Sequence, residues 1–188
     1  MKYADFRPLE TPRLRLRRLT MEDVPVYFSR IGSSRRVTEH MLWQPHKDIS
    51  ESAASIQKVL RRYEDGNCYR WGIALKSDES LIGIIELLRF DEQENGCSFA
   101  YMLGEDFWRQ GYGTEAVKAV FAFAFTHMQL ERITADHFAA NPASGAVMRK
   151  AGMGFVRYLP QKYEKNGTRI DAVEYRITKE DWEKNPRR

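Results

Sequence analysis

An α/β fold in one domain, a mixed sheet flanked by helices, is what this sequence predicts. Three observations carry that prediction. Apolar spacing switches between alternating and helical in the order strand, two helices, three strands, helix, strand, helix, two strands. One strand–helix–strand crossover lies near the middle, which demands a parallel pair inside an otherwise hairpin-built sheet. No internal repeat, low-complexity tract or linker divides the 188 residues, a length suited to a single core spanning 1–188.

Taken in order, Leu14, Leu16 and Leu19 suggest an opening strand. Thr20-Met21-Glu22-Asp23 places an acid three residues after a threonine, a capping pattern that starts a helix near Met21 and lets it fade around Ile31-Gly32. Asp48-Ile49-Ser50-Glu51 opens a second helix, with Ala53, Ile56, Val59, Leu60 and Tyr63 on one stripe and Gly66 as its stop. Between them, Thr38 to Trp43 has no clear period and reads as a short helix or loop of the kind that shapes a substrate mouth. Tyr69, Trp71, Ile73 and Leu75 alternate, and the chain returns as a second strand from Leu81 to Phe90. Asn95-Gly96 is a turn signal before a third strand, Cys97 to Leu103. A helix from about Thr114 to Met128 and a strand from Arg132 to Phe138 complete the crossover. Asn141 can cap a short helix whose first turn suits Pro142, and Gly152 and Gly154 end it. Val156 to Glu164, Asn166-Gly167 and Ile170 to Ile177 form a final hairpin, and Thr178 caps a terminal turn.

Composition narrows the function. With 43% apolar and 30% charged residues the chain reads as soluble and globular. Its longest apolar-rich window, Ala116 to Phe125, is too short to span a bilayer, and Met1-Lys2-Tyr3-Ala4-Asp5 lacks the apolar core of a signal peptide. The expected compartment is the cytoplasm, without a membrane partner. Cys68 and Cys97 suggest reduced thiols, and the four histidines lack helical metal spacing, so no metal is expected. A net charge of +4 is mildly basic. Its densest run, Arg13 to Leu19, alternates like a solvated strand face, which makes a nucleic-acid partner unlikely.

The chemistry gathers at Trp108-Arg109-Gln110-Gly111-Tyr112-Gly113-Thr114-Glu115-Ala116. Two glycines between a strand and a helix turn backbone N–H groups toward one point, with the positive end of the helix dipole behind them. Gly111-x-Gly113-x-x-Ala116 also fits a dinucleotide fingerprint. That reading fails on context: seven residues, Gly104 to Gln110, separate the loop from its strand, and Glu131 precedes its strand rather than ending it.

Three further motifs join this one. They are Glu10-Thr11-Pro12-Arg13-Leu14-Arg15-Leu16-Arg17, Asn141-Pro142-Ala143-Ser144-Gly145 running on to Lys150-Ala151-Gly152-Met153, and Tyr175-Arg176-Ile177-Thr178-Lys179-Glu180-Asp181-Trp182. Together, in this order and over nearly the whole chain, they resemble the GNAT superfamily of acyl-CoA N-acyltransferases, in its RimJ/RimL-like branch. The resemblance implies a mostly antiparallel sheet in which the strand before the glycine loop splays from the strand after the helix, with pantetheine between them. It implies acetyl-CoA as co-substrate and direct attack by an amine in a ternary complex. The acceptor would be a protein N-terminus, a polyamine or a small amine, and a homodimer is compatible with it.

Carried onto this chain, the backbone around Arg109, Gln110, Gly111, Tyr112, Gly113 and Thr114 would hold the pyrophosphate. Gly111 and Gly113 would be needed for close approach or a positive φ. Met102 and Leu103 would pair with the pantetheine arm and offer an N–H to the acetyl oxygen. Asn141 would reach pantetheine amides or cap its helix, and Ser144, or a nearby tyrosine, would protonate the leaving thiolate. Two departures stand out. Trp108 occupies a place where the superfamily pattern has Gln or Arg, and Ser98 a place where the branch often carries an acid. The general base is therefore open among Glu164, Glu86, Glu94 and His137, of which Glu164 and Glu86 are the leading candidates. His40, Trp43 and Trp71 are candidate walls of the amine pocket. Ser98 also keeps alive a second reading, a non-catalytic acyl-CoA-binding sensor.

Overall fold

The computed structural model of the protein describes residues 4–66 and 68–184; Met1 to Tyr3 of the opening stretch and residues 185–188 lie outside the described residues. Strands β1 (Leu9–Glu10) and β2 (Leu14–Arg17) open the chain. A helical run over 21–32, α1, follows, then α2 (Arg35–Glu39) and α3 (Ile49–Glu64). Next come β3 (Tyr69–Leu75), β4 (Leu81–Asp91) and β5 (Gly96–Leu103), then α4 (Tyr112–Thr126), β6 (Arg132–Phe138) and α5 (Pro142–Lys150). The chain closes with β7 (Gly154–Lys165), β8 (Thr168–Thr178) and α6 (Lys179–Glu183). Eight strands form one sheet in the order β1-β2-β3-β4-β5-β6-β8-β7. Every neighbouring pair is antiparallel except β5 and β6, the pair joined through α4.

The expected order of elements holds, with three local differences. β1 is two residues long, too short for alternation to register. The first helix is not uniform: a 3₁₀ turn (Met21–Asp23), an α-turn (Val24–Tyr27) and a π-turn (Phe28–Gly32) succeed one another. Its start is held as the capping pattern predicts, the Thr20 N–H donating to Asp23 Oδ2 at 2.8 Å, while Ser33 N–H reaches back to Phe28 O at 2.9 Å. Third, α4 begins at Tyr112, because Gly111 takes φ +84° and serves as its N-cap. That conformation is cheap for glycine alone.

Side chains on the two faces of the sheet enter two cores. Ile85, Leu87, Phe99, Leu103, Ile133 and Ala135 pack beneath α4 and α5. Ile84, with Met102 against it, belongs to the cluster under α1 and α3. α4 is buried almost all round, with Phe121 and Phe125 at 0% exposure and Phe123 at 2%. Each such ring contributes roughly 1.5–3 kcal/mol of burial free energy. The crossover helix is thus the mechanical centre of the fold, and its N-terminus is fixed in space.

Cys68 and Cys97 are free and buried. Burial pushes the Cys97 thiol up to about 12 and raises that of Cys68 as well. Neither thiol forms an accessible thiolate at neutral pH. Alkylation of the native protein at pH 8 should therefore modify neither residue, and unfolding in guanidinium should expose both. Rapid native labelling, read by intact mass, would contradict this packing.

Candidate active site

β5 and β6 pair only through Gly96–Arg132, Cys97–Ile133 and Ser98–Thr134. Beyond that point β6 stays paired along its whole length to β8, and β5 to β4, so the two strands part as a V. At the fork the Ser98 and Thr134 hydroxyls meet at 3.0 Å. Ser98 is thereby a structural tie, and the strands above it, Phe99 to Met102 on one side and Ala135 to His137 on the other, have no ladder between them, while the carbonyls that end them are taken, Leu103 O by the Trp108 indole and Phe138 O by Asn141 N–H.

Above the V stands the glycine loop. Gly111 turns the chain into α4, and the first intrahelical bond is Glu115 N–H to Gly111 O at 3.0 Å. The N–H groups of Tyr112, Gly113 and Thr114 precede that bond and have no carbonyl inside the helix. They point outward with the helix dipole, a cradle for an anion. Gly113, unlike Gly111, is helical and buried, and a Cβ there would meet the Tyr101 ring at 3.4 Å, an ordinary contact, so space alone does not demand glycine. Arg109 is exposed at φ +61°, while the Gln110 amide folds back to donate to Asp106 O at 2.6 Å.

The opening motif proves to be the brace of this cradle. Thr11 Oγ1 and the Arg13 N–H both donate to Glu115 Oε1, at 2.6 and 3.0 Å. The Arg13 guanidinium donates to Glu115 Oε2 at 2.7 Å and to Gln110 O at 3.0 Å, and lies 4.3 Å over the Tyr112 ring. Burial acts to raise the Glu115 pKa, but the bonds from Thr11 and Arg13 outweigh it and hold the carboxyl below its ordinary value.

α5 closes the V from the other side. Asn141 Oδ1 accepts from Ser144 N–H at 3.3 Å, so the capping role predicted for it is real. Ser144 lies beside the Tyr101 phenol, whose pKa burial raises and the Ser144 hydroxyl partly restores. His137 sits on this same face. Its Nδ1 donates to Phe138 O at 2.8 Å, and Nε2, buried with no hydrogen-bond partner among the described residues, presses on Gly145, where a Cβ would come within 2.5 Å. It faces α5, away from the opposite face of the sheet.

On that opposite face Ala100 is exposed although it lies in the middle of a central strand, which marks an uncovered groove. Glu86 pairs with Ala100 across β4 and β5, and Asp136 extends from β6 on the same face. Both acids have cationic partners. Arg70 grips Glu86 with two bonds, 2.8 and 2.7 Å, with Arg62 at 3.9 Å. Asp136 accepts from Lys162 and, at 2.7 Å, from Tyr163. Met102 and Trp43 pack against the core on this side, and His40 ends α2 nearby in sequence.

Two predicted residues do not belong to the site. Trp71 is 0% exposed, stacked on Phe6 at 5.1 Å with its indole N–H on Arg7 O at 2.8 Å, so it is core rather than pocket wall. Glu164 is exposed in the final hairpin, 3.4 Å from Arg169, and alternates away from Tyr163 and Lys165, which face inward. Asp136, Lys162 and Tyr163 escaped sequence reading. The usable signal was Asp136 itself, an acid alternating with Ile133, Ala135 and His137 in a central strand.

A model of the acetyltransferase (GNAT) domain matches residues 13–154, from the brace to the end of α5 and the start of β7. The chain belongs to the GNAT acetyltransferase family. An uncharacterised N-acetyltransferase of Bacillus subtilis, YoaA, is 30% identical over 171 residues, covering 91% of this chain and 96% of that protein. Two solved structures share the fold. RimL, a ribosomal L7/L12 α-N-protein acetyltransferase in complex with coenzyme A, superposes at TM-score 0.79 and 18% identity over 92% of this chain and 98% of that one. Spermidine N-acetyltransferase of Vibrio cholerae, in complex with CoA and spermine, gives 0.78 and 17% over 92% and 99%. The protein is thus an acetyl-transferring enzyme of a family that uses acetyl-CoA. The free first-turn amides, the left-handed Gly111 and the open β5 edge fit that co-substrate. Among the described residues no cluster of His, Cys, Asp and Glu could hold a metal ion.

Because the Glu115 carboxyl is depressed in the folded state, its contribution is full at neutral pH and fades as the pH falls below the ordinary value of 4.5. Glu115→Gln should lower the melting temperature at pH 7 by about 2–4 °C, as expected for roughly 1 kcal/mol. The gap to the parent should shrink at pH 4 and below. Equal gaps at both pH values, measured by calorimetry, would mean the carboxylate is not the brace.

Proposed function

We propose that this acetyltransferase moves an acetyl group from acetyl-CoA to a single primary amine, a protein N-terminus or a small amine, by direct attack with both substrates bound. The observation that carries the choice of acceptor is the groove around the exposed Ala100. Its two acids, Glu86 and Asp136, each have a cation of their own. A polyamine would need several carboxylates without such partners, so a monoamine fits the charge balance better.

In this reading the amides of Tyr112, Gly113 and Thr114, with Arg109 at the rim, hold the pyrophosphate, and Gln110 and Gly111 shape the turn. Met102 and Leu103, whose carbonyl already accepts from the Trp108 indole, align the pantetheine arm together with Asn141. Acetyl-CoA supplies a thioester carbonyl already activated toward amines. An α-amine with a pKa of roughly 8 is partly neutral at pH 7, so the protein needs only to orient it and receive its proton. In this reading Glu86, beside Ala100, takes that proton through water, and Ser144, backed by Tyr101, donates to the departing sulfur. Glu86 also supplies the carboxylate that Ser98 lacks, which favours turnover over a binding-only sensor.

The deciding experiment is a panel of amines incubated with acetyl-CoA and read by free-thiol release, in which the two buried cysteines give no background. A monoamine or a peptide with a free N-terminus should release thiol, with spermidine a poor acceptor; preference for spermidine would reverse the assignment. In the same assay Gly111→Val should weaken CoA binding at least tenfold, since a β-branched residue resists φ +84° and screens the amides. Glu86→Gln should lower kcat about 10²-fold while leaving the affinity for CoA within twofold of the parent. A loss of stability without that loss of kcat would leave Glu86 as only the partner of Arg70.

A further inference from the structure

Trp108 contributes nothing to the phosphate cradle, yet it is among the best-connected residues of the loop. Its ring packs against both hydrophobic clusters, the one beneath α4 and α5 and the one beneath α1 and α3. Its indole N–H donates to Leu103 O at 2.8 Å, fixing the ring to the end of β5. The Arg36 guanidinium lies 5.4 Å over its face and pairs with Glu105 just before it. A planar guanidinium can stack and pair at once, which an ammonium cannot.

Arg36 belongs to α2, and the other end of that helix is tied to a different part of the molecule. Lys165 Nζ donates to Thr38 O and Glu39 O, at 2.7 and 3.2 Å. Shortly after, Gln44 Nε2 donates to Asn166 Oδ1 at 2.7 Å. The segment between these ties carries His40 and Trp43. One short helix is therefore fastened to the cofactor loop through Arg36 and to the hairpin tip and acceptor side through its C-terminal carbonyls.

We propose that Arg36, seated on Trp108, is a positioning residue that couples the two substrate sites. Filling the cradle restrains the loop backbone from Arg109 to Thr114 that leaves the fixed Trp108, and through Trp108 and Arg36 that restraint reaches α2 and the acceptor wall behind it. The inference rests on the reading that acetyl-CoA occupies the cradle and the amine the groove beside His40 and Trp43. Coupling of this kind is reciprocal: each ligand must tighten the other by the same factor.

The test uses calorimetry with CoA, alone and with saturating amine, taking as amine the best acceptor of the panel, alongside steady-state kinetics. In the parent protein the amine should tighten CoA about fivefold, and saturating acetyl-CoA should lower the apparent KM for the amine to match. Arg36→Gln should bring both factors within twofold of unity and raise the amine KM. Its affinity for CoA alone should stay within twofold of the parent and kcat should change little. Arg36→Lys, which keeps the ion pair but loses the stack, should retain only part of the coupling. Since Arg36 is 66% exposed, these variants should fold normally, which their melting curves will verify. Full coupling in Arg36→Gln, or none in the parent, overturns the proposal. Failure of every amine to release thiol would instead count against the proposed function, because CoA binding is read separately.

Discussion

The parting of β5 from β6 is the constraint on which the rest of this structure depends. Three paired positions hold the strands together at the fork, and beyond Ser98 and Thr134 each keeps only its outer neighbour. A sheet that stayed closed would satisfy its own backbone and offer nothing to a ligand. Opened as a V, it exposes strand edges in the middle of the molecule, where both faces are otherwise covered. The N-termini of α4 and α5 converge on that opening, and the tight seat of His137 against Gly145 holds α5 in place.

Once the V exists, the two faces of the sheet acquire different work. The face under α4 and α5 carries the anion cradle, Ser144 and Tyr101. The face under α1 and α3 has the uncovered Ala100 between two acids. Those acids illustrate how partners set local charge: Glu86 pairs with Arg70 and Asp136 with Lys162, so the groove presents paired carboxylates. The brace formed by Thr11, Arg13 and Glu115 belongs to the same logic. It spends a salt bridge at the surface, where such pairs are weak, but several bonds converge on one carboxylate at a helix N-terminus, where negative charge is favoured.

Much of this is legible in the sequence. The caps at Thr20, Asp48, Asn141 and Thr178 bound their helices as the sequence indicates, because capping is a local bargain between one side chain and the next turn. Gly111 was legible for a similar reason. Local rules did not extend to pairing across the molecule. Trp71 has the composition of a pocket aromatic, but its alternation reports only which face of β3 it occupies, and that face is roofed by α4. The outward turn of Glu164 is not legible in sequence because β7 mixes apolar and polar residues on both faces and is exposed along most of its length, so no periodicity signals which side turns inward. The register shift between Leu159 and Tyr163, with Gln161 at φ +51°, sets that side.

By itself the sequence determined the order of elements and the place of the glycine loop, which follow from spacing along the chain, while the resemblance to the family rests on four motifs in order. Only the tertiary structure decided which acid borders the groove, that Thr11 and Arg13 brace a helix about a hundred residues away, and that Trp108 bridges two cores. The physical reason is common to these cases. A side chain's chemistry is written locally, whereas its protonation, burial and partners depend on which layer packs over it, and that is fixed by contacts between residues distant in sequence.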